Sequence, residues 1–329
     1  MVKILVTGAA GFIGYHVARA LLDLGHAVVG VDNFNEYYDV ALKRARHARL
    51  ESRGGYAGFP ADVADRSAME ALFAAHRFDA VCHLAAQAGV RYSLTHPFAY
   101  QRSNVEGFLV VLECCRQAHT PRLVYASSSS VYGGNTKLPF SEDDPVDCPL
   151  SLYAATKRAN ELMARVYTHL YDLPTIGLRF FTVYGPWGRP DMALWIFTEA
   201  LVEGRPVPVF NQGKMSRDFT YIDDIVSGVI AALQRPDLGP CEIFNLGHHR
   251  PENLLDLIRR IAAALAVEPQ IEWRPPQPGD VPATYADIER ARARLGFEPR
   301  TAIAEGVPRF VEWYLAWRRE RKVGGEEGL

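Results

Sequence analysis

The sequence predicts an α/β protein built on a doubly wound parallel sheet. Three observations carry this: short apolar runs alternate with amphipathic stretches, a glycine turn follows the first run, and an acid closes the second. Residues 2–7 are short, apolar and β-branched, as a strand buried on both faces must be. Residues 12–24 then carry apolar side chains at helical spacing. A second strand is expected over 27–31, a third ahead of Asp62-Val63, and others over 80–84 and 122–126. Helical patterns fill about 40–50, 67–75 and 98–118. Beyond a long helical stretch at 151–171 and a strand near 175–180, the pattern loosens. Gly and Pro cluster at Gly185-Pro186-Trp187-Gly188-Arg189-Pro190 and at Pro275-Pro276-Gln277-Pro278-Gly279, with helices expected near 191–203, 222–234 and 253–265. The charged, Gly-rich residues 318–329 are expected to fray.

The 329 residues suffice for one large α/β domain and a smaller one, and 48% are hydrophobic, enough for a sizeable core. A formal charge of −2 leaves no basic footprint for nucleic acid or an anionic membrane. An anionic ligand therefore has to be held by local Arg, Lys and helix N-termini. Cys82, Cys114, Cys115, Cys148 and Cys241 are odd in number and form no Cys-x-x-Cys pair, which points away from a disulfide framework or a zinc site. No apolar run reaches the roughly 18 residues of a membrane span. The first residues enter a strand at once, without the basic-then-apolar order of a signal peptide. A soluble, cytoplasmic protein is expected.

Gly8-Ala9-Ala10-Gly11-Phe12-Ile13-Gly14 sits between the first strand and the first helix, the context a dinucleotide turn requires. Gly8 permits the tight turn, Gly11 lets backbone approach a pyrophosphate, and Gly14 lets helix and strand pack closely. The helix N-terminus adds unpaired N–H groups and partial positive charge. Asp32, with Asn33 after it, ends the second strand where an acid binds the adenine-ribose hydroxyls and repels a 2′-phosphate, so NAD is favoured over NADP. Lys43, Arg44 and Arg46 follow and could pair with a phosphate or form a solvated helix face. Asp62-Val63 could reach the adenine. Residues 1–180 are thus read as a Rossmann-type NAD-binding domain that also carries the catalytic groups. Residues 181–329 are read as a smaller, mainly substrate-binding domain, with some segments returning to the first.

Tyr153-Ala154-Ala155-Thr156-Lys157 places a phenol and an ammonium one helical turn apart on one face. A nearby ammonium and an oxidised nicotinamide ring both stabilise a phenolate, so Lys157 and the cofactor are expected to lower the pKa of Tyr153 and make it a usable base. Ala126-Ser127-Ser128-Ser129-Ser130-Val131-Tyr132-Gly133 puts hydroxyls at a strand's C-terminal edge, where α/β sheets place ligand chemistry.

The glycine turn, the serine-rich strand end and the Tyr-Lys pair resemble the extended short-chain dehydrogenase/reductases. Longer strings are similar to the UDP-glucuronate 4-epimerase branch of that family: the runs from His83 to Ser93, from Arg179 to Met192, and from Gln277 to Asp287. The resemblance implies an isomerase with tightly bound NAD, acting on a UDP-sugar through a 4-keto intermediate. It implies Tyr153 as base, Lys157 holding the cofactor ribose, and Ser128 relaying the proton of the sugar's 4-hydroxyl. It also implies cofactor contacts from Leu84, Ala85, Ala86 and Gln87, a supporting role for Asn104, and substrate contacts from Arg91, Thr182, Arg217 and Asp280. A homodimer built on helices 98–118 and 151–171 is implied as well.

A uronate poses its own problem, because its 4-keto form is a β-keto acid that loses CO₂ when the breaking bond aligns with the carbonyl. Arg189 is the candidate anchor for that carboxylate, since guanidinium binds carboxylate through two parallel hydrogen bonds. Ser129 and Ser130 could add hydroxyl donors. In decarboxylases and 4,6-dehydratases of this type an acid stands where Ser129-Ser130 stand here, which disfavours both eliminations. The rivals are a UDP-glucose 4-epimerase, less readily a UDP-glucuronate decarboxylase, and a non-catalytic NAD-binding sensor.

Overall fold

The computed structural model describes residues 1–275 and 283–326. Its elements in chain order are β1 (Lys3–Thr7), α1 (Phe12–Asp23), β2 (Ala27–Asp32), α2 (Val40–Glu51), β3 (Tyr56–Pro60), α3 (Arg66–Ala75), β4 (Ala80–His83), α4 (Pro97–Tyr100), α5 (Gly107–Gln117), β5 (Leu123–Ser128), α6 (Leu152–Tyr171), β6 (Thr175–Phe180), β7 (Thr182–Tyr184), α7 (Ala193–Val202), β8 (Val207–Phe210), β9 (Ser216–Tyr221), α8 (Ile222–Gln234), β10 (Cys241–Leu246), β11 (Pro251–Asn253), α9 (Leu254–Leu265), β12 (Ile271–Arg274), β13 (Ala283–Thr284), α10 (Glu289–Leu295) and α11 (Ile303–Glu326).

Seven strands form the central sheet in the order β10-β6-β5-β4-β1-β2-β3, every neighbouring pair parallel. The order runs outward from β1 in both directions. The connections therefore reverse between β1 and β4, and the C-terminal ends of those strands leave the crevice where α/β sheets bind ligands. Period-two alternation feeds two cores. Ile4, Val6, Val124 and Leu178 face one side, with α1 and α8; Leu5, Val81, Leu123 and Tyr125 face the other, with α3, α5 and α6. Full burial of each such aliphatic side chain contributes about 1.5–3 kcal/mol. Burial on both faces is why these strands read as unbroken apolar runs.

β9 is the centre of a second sheet, beside β11, β13 and β7, and β8 pairs with β12. α9 packs on this part through Leu254, Leu257, Ile258 and Ile261, the i, i+3, i+4, i+7 stripe of an amphipathic helix.

Two local outcomes depart from the sequence reading, and a third concerns a later segment that lies in the first sheet. The stretch 98–118 is not one regular helix: a π-helical segment, Gln101–Glu106, separates α4 from α5. The wider turn lets the Asn104 carbonyl accept a bond from Asn160 Nδ2 at 2.6 Å, an exchange that apolar periodicity does not encode. β10, distant in sequence, completes the edge of the main sheet beside β6. Residues 318–326 do not fray but continue α11. Trp313 and Trp317 pack on Trp187, and Arg318 pairs with Glu203 at 3.2 Å, so docking supplies what local propensity lacks. No helix among the described residues is long and apolar enough to cross a membrane.

The glycine turn owes its shape to contacts closer than any side chain permits. A Cβ on Gly14 would lie 2.0 Å from the Gly8 carbonyl oxygen. Gly14→Ala is expected to destabilise the protein by about 1–3 kcal/mol, as overpacking does, which urea unfolding of the variant would measure.

Candidate active site

The cleft at the switch point is lined by Gly8, Gly11, Phe12, Ile13, Gly14, Asp32, Asn33, Lys43, Asp62 and Val63 on one side. Leu84, Ala85, Ala86 and Gln87 form its floor, and Ser128, Ser129, Ser130, Tyr153, Lys157, Thr182 and Arg189 its far end. These residues span 182 positions of chain, from Gly8 to Arg189, counting both ends (189 − 8 + 1 = 182).

The turn is held from both sides. Gly8, at φ +69°, donates to the Val31 carbonyl at 2.7 Å. Ala10 donates to Asp32 Oδ2 at 3.0 Å, and Phe34 to Asp32 Oδ1 at 2.9 Å. Asp32 thus braces the turn, and each oxygen keeps a second lone pair for a ribose hydroxyl. The first turn of α1 carries no side-chain cap and no acid, so its N–H groups and dipole suit a pyrophosphate. A Cβ on Gly8 would lie 2.8 Å from the Ala85 nitrogen. The floor and the turn therefore meet backbone to backbone, and the residues present fit a dinucleotide. Thr7 Oγ1 accepts from Ala85 N at 3.2 Å and pairs with His83 Nδ1 at 2.8 Å. Burial, then the Lys157 charge, lowers His83 to about 3, which keeps the imidazole neutral as a bridge between β1 and β4.

The basic residues after Asp32 divide by helix face. Lys43 lines the cleft and donates to the Asn35 carbonyl and Oδ1, both at 2.6 Å; burial pushes it down to about 8. Arg44 is exposed. Arg46 is neither solvated nor aimed at a phosphate. It is fully buried and donates to the carbonyls of Ala10 (3.0 Å), Trp187 (2.6 Å) and Gly188 (3.0 Å) and to the Tyr38 hydroxyl (2.8 Å). It ties the glycine turn to the loop that carries Arg189. His16 Nε2 bonds the Pro186 carbonyl of the same loop at 2.9 Å. Asp62 Oδ1 accepts from Ala64 N at 2.9 Å and Oδ2 from Arg102 at 3.3 Å.

Ser151 caps α6 by accepting from Ala154 N at 3.1 Å, and α6 aims Tyr153 and Lys157 into the cleft. Lys157 Nζ donates to the Ala126 carbonyl at 2.8 Å, and burial pushes it down to about 8. Burial raises the Tyr153 phenol above its ordinary value, opposed by a hydrogen bond with Ser128 and by the Arg189 charge. Lys157 does not stand among the protein groups that act most on this phenol. The ammonium is engaged with β5 and is itself desolvated, and the groups that favour the phenolate are Ser128 and Arg189.

A buried ion pair keeps α6 in register with the sheet. Glu161 accepts from Arg179 Nε at 2.9 Å and Nη2 at 3.0 Å, and from Ser127 Oγ at 2.6 Å. Arg179 Nη1 also reaches the Tyr132 hydroxyl at 3.0 Å, which donates to Asn245 Oδ1 at 2.7 Å. Burial alone would raise Glu161, yet the Arg179 contacts hold it below the ordinary carboxylate range. Asn104 accepts from Gln87 N at 2.8 Å and donates to Thr156 Oγ1 at 3.0 Å, joining the cleft floor to α6.

Arg189 Nε and Nη2 lie 3.0 and 2.5 Å from the two oxygens of Asp191, and the Tyr37 hydroxyl donates to Asp191 at 2.9 Å. Arg91 and Arg217 lie away from this lining. Arg91 stacks its guanidinium over Phe210, 4.8 Å from the ring centre, and Arg217 sits on β9 opposite Thr284 of β13. Asp280 falls outside the described residues. Sequence reasoning missed Tyr37, Asp191, the internal tie made by Arg46 and the separate buried pair of Arg179 and Glu161. Tyr37 and Asp191 lie in irregular loops, and a charge inside a helix pattern reads as surface until packing says otherwise.

The fold and the cleft define an enzyme that binds a dinucleotide. The chain belongs to the NAD dependent epimerase/dehydratase family, whose model matches residues 4–247. It is 51% identical over 328 residues to an uncharacterized 37.6 kDa protein of Escherichia coli O111:H-, covering 95% of this chain and 98% of that one. It is 48% identical over 332 residues to UDP-glucuronate 4-epimerase 4 of Arabidopsis thaliana, covering 96% and 76%. Among solved structures, it resembles UDP-glucuronic acid 4-epimerase from Bacillus cereus in complex with UDP-glucuronic acid and NAD. That match has a TM-score of 0.90 at 34% identity, over 96% of this chain and 99% of the other.

Glu161→Gln leaves Arg179 buried without its counterion, which costs about 3–5 kcal/mol. Glu161 titrates below its ordinary value in the folded protein. The pair's contribution is therefore complete above the unfolded glutamate value of about 4.3 and is lost as pH falls through the folded value. Urea midpoints of wild type and variant should differ most above that value and converge in acid.

Proposed function

We propose that this protein interconverts UDP-glucuronate and UDP-galacturonate by inverting C4, with NAD retained through each cycle. The observation that carries the reading is the meeting of Tyr153, Ser128 and Lys157 with Arg189 at one end of a dinucleotide cleft, in a chain closely similar to UDP-glucuronate 4-epimerases. Bound NAD supplies an acceptor for the C4 hydride and a donor that returns it to the opposite face. Gly8, Gly11, Phe12, Ile13 and Gly14 receive its pyrophosphate, Asp32 and Asn33 its adenine ribose, and Lys157 its second ribose.

The chain's own work is proton transfer and restraint. Ser128 bonds the 4-hydroxyl and passes its proton to Tyr153, whose ionised form it favours. The protein groups alone hold the phenol protonated, and a cationic nicotinamide beside it favours the phenolate. Arg189, with Ser129 and Ser130, grips the uronate carboxylate and keeps the C5–C6 bond out of line with the C4 carbonyl, so CO₂ stays attached. Thr182, Arg91, Arg217 and Asp280 receive the rest of the UDP-sugar. Residues 1–180 then carry cofactor and chemistry, and residues 181–329 mainly the nucleotide sugar.

The same reading makes the protein a cytoplasmic homodimer. Phe108, Val111, Leu112 and Cys115 are spent on the core, while Leu109, Leu162, Val166 and Leu170 remain exposed on α5 and α6 for a second copy.

A neutral-sugar 4-epimerase is the second reading. It is favoured by one observation: Asp191 already matches the Arg189 charge. NMR of product mixtures from UDP-glucuronate and from UDP-glucose, with no cofactor added, separates the two, and turnover of the neutral sugar alone would overturn the first. Tyr153→Phe should lower kcat about 10²–10⁴-fold while NAD released on denaturation stays stoichiometric. Arg189→Gln should lower kcat/KM for the uronate about 10- to 100-fold, the worth of a charged hydrogen-bonded pair, with little change for UDP-glucose.

A further inference from the structure

We propose that Asp191, steadied by Tyr37, is a positioning residue that leaves Arg189 a single edge with which to receive the sugar's carboxylate. The inference rests on the reading that Arg189 is the uronate anchor.

A guanidinium offers two edges for a bidentate carboxylate, one formed by Nε and Nη2 and the other by Nη1 and Nη2. Asp191 occupies the first, with Oδ1 3.0 Å from Nε and Oδ2 2.5 Å from Nη2. The described residues place no hydrogen-bond partner on Nη1. A second planar anion can therefore dock in the guanidinium plane in one way only. The brace is itself braced. Tyr37 donates to Asp191 Oδ2 at 2.9 Å, its ring lies 4.7 Å from that of Tyr92, and a Cβ on Gly89 would come within 2.5 Å of its hydroxyl oxygen. Tyr37 also stands five residues beyond Asp32 (37 − 32 = 5), so the Arg189 plane is referenced to the cofactor half of the cleft. Burial would raise Asp191, but the Arg189 charge and hydrogen bonds hold it below the ordinary carboxylate range, and burial raises the Tyr37 phenol. Acceptor and donor therefore keep these protonation states at neutral pH.

The orientation decides the fate of the keto sugar. If the carboxylate swings so that C5–C6 aligns with the π system of the C4 carbonyl, that bond breaks and CO₂ leaves. The electron pair forms an enolate that takes a proton at C5, and hydride return to C4 then yields a UDP-pentose. Asp191 also offsets the Arg189 charge, so it restrains affinity while it sharpens geometry.

Asp191→Asn separates these effects. With UDP-glucuronate, KM should stay level or fall, kcat should drop about 100-fold, the typical cost of a misplacement of about 1 Å, and a UDP-pentose should join the products by NMR. Tyr37→Phe should shift kcat and product partition in the same direction by a smaller factor. A lower KM with kcat and products unchanged would make Asp191 a mere competitor for Arg189 and overturn the proposal, as would wild-type kinetics throughout. Arg189→Gln tells the two levels apart. If it leaves the preference for uronate over UDP-glucose intact, the anchor reading itself fails. If it abolishes that preference while Asp191→Asn changes nothing, only the positioning role fails.

Discussion

The buried guanidinium of Arg46 is the contact on which the geometry of the cleft depends. It has no exposed surface, and its donors go to three backbone carbonyls and a phenol, with no carboxylate paired to it among the described residues. A charge in the interior is tolerated only when its hydrogen bonds are nearly all made. Here all but that of Nε are made, by Tyr38 and by two segments more than 170 residues apart in the chain, the turn at Ala10 and the loop at Trp187-Gly188 (187 − 10 = 177). The cation is satisfied only when both segments are in place, so it makes the dinucleotide turn and the Arg189 loop one unit. Trp187, held at φ +62° and packed against Tyr15, Trp313 and Trp317, keeps those carbonyls turned inward.

A second buried cation does comparable work under α6. Arg179 and Glu161 are each almost wholly buried and doubly bonded to one another. Ser127 lies on β5 and shares Glu161, so the pair sets the spacing between the strand end that carries Ser128 and the helix that carries Tyr153 and Lys157. Asn104 and Thr156 do the same on the opposite side, through the π-helical segment. Such networks are costly when half made, which gives the native spacing an advantage over near alternatives. The placement of Ser128, Tyr153 and Lys157 thus rests on polar contacts beneath them.

The electrostatics of the cleft follow from desolvation first and pairing second. Burial moves the phenol of Tyr153 up and the ammonium of Lys157 down, so each side chain alone is shifted toward its neutral form. A bound cationic cofactor is the missing charge that favours the phenolate. The Tyr-Lys spacing places the groups correctly, and the acidity of the phenol is a property of the loaded site.

Much of this was legible in the chain alone. Periodicity reported the strands and helices, because burial on two faces or one stripe forces apolar residues into those patterns. Gly8, Gly11 and Gly14 announced the turn because no other residue fits where a Cβ would meet backbone. The serine-rich strand end and the pair Tyr153 and Lys157 marked groups that share the cleft, because spacing within one strand or one helix is set by local geometry. What only the tertiary structure decided lies between elements. β10 joins the main sheet from far along the chain, Arg46 is an internal tie and not a phosphate ligand, Lys157 bonds Ala126, and Tyr37 meets Asp191 across 154 residues. None of these leaves a periodic trace. A charged side chain looks the same in sequence whether it faces water or a buried carbonyl, and only the packed chain brings its partner within about 3 Å.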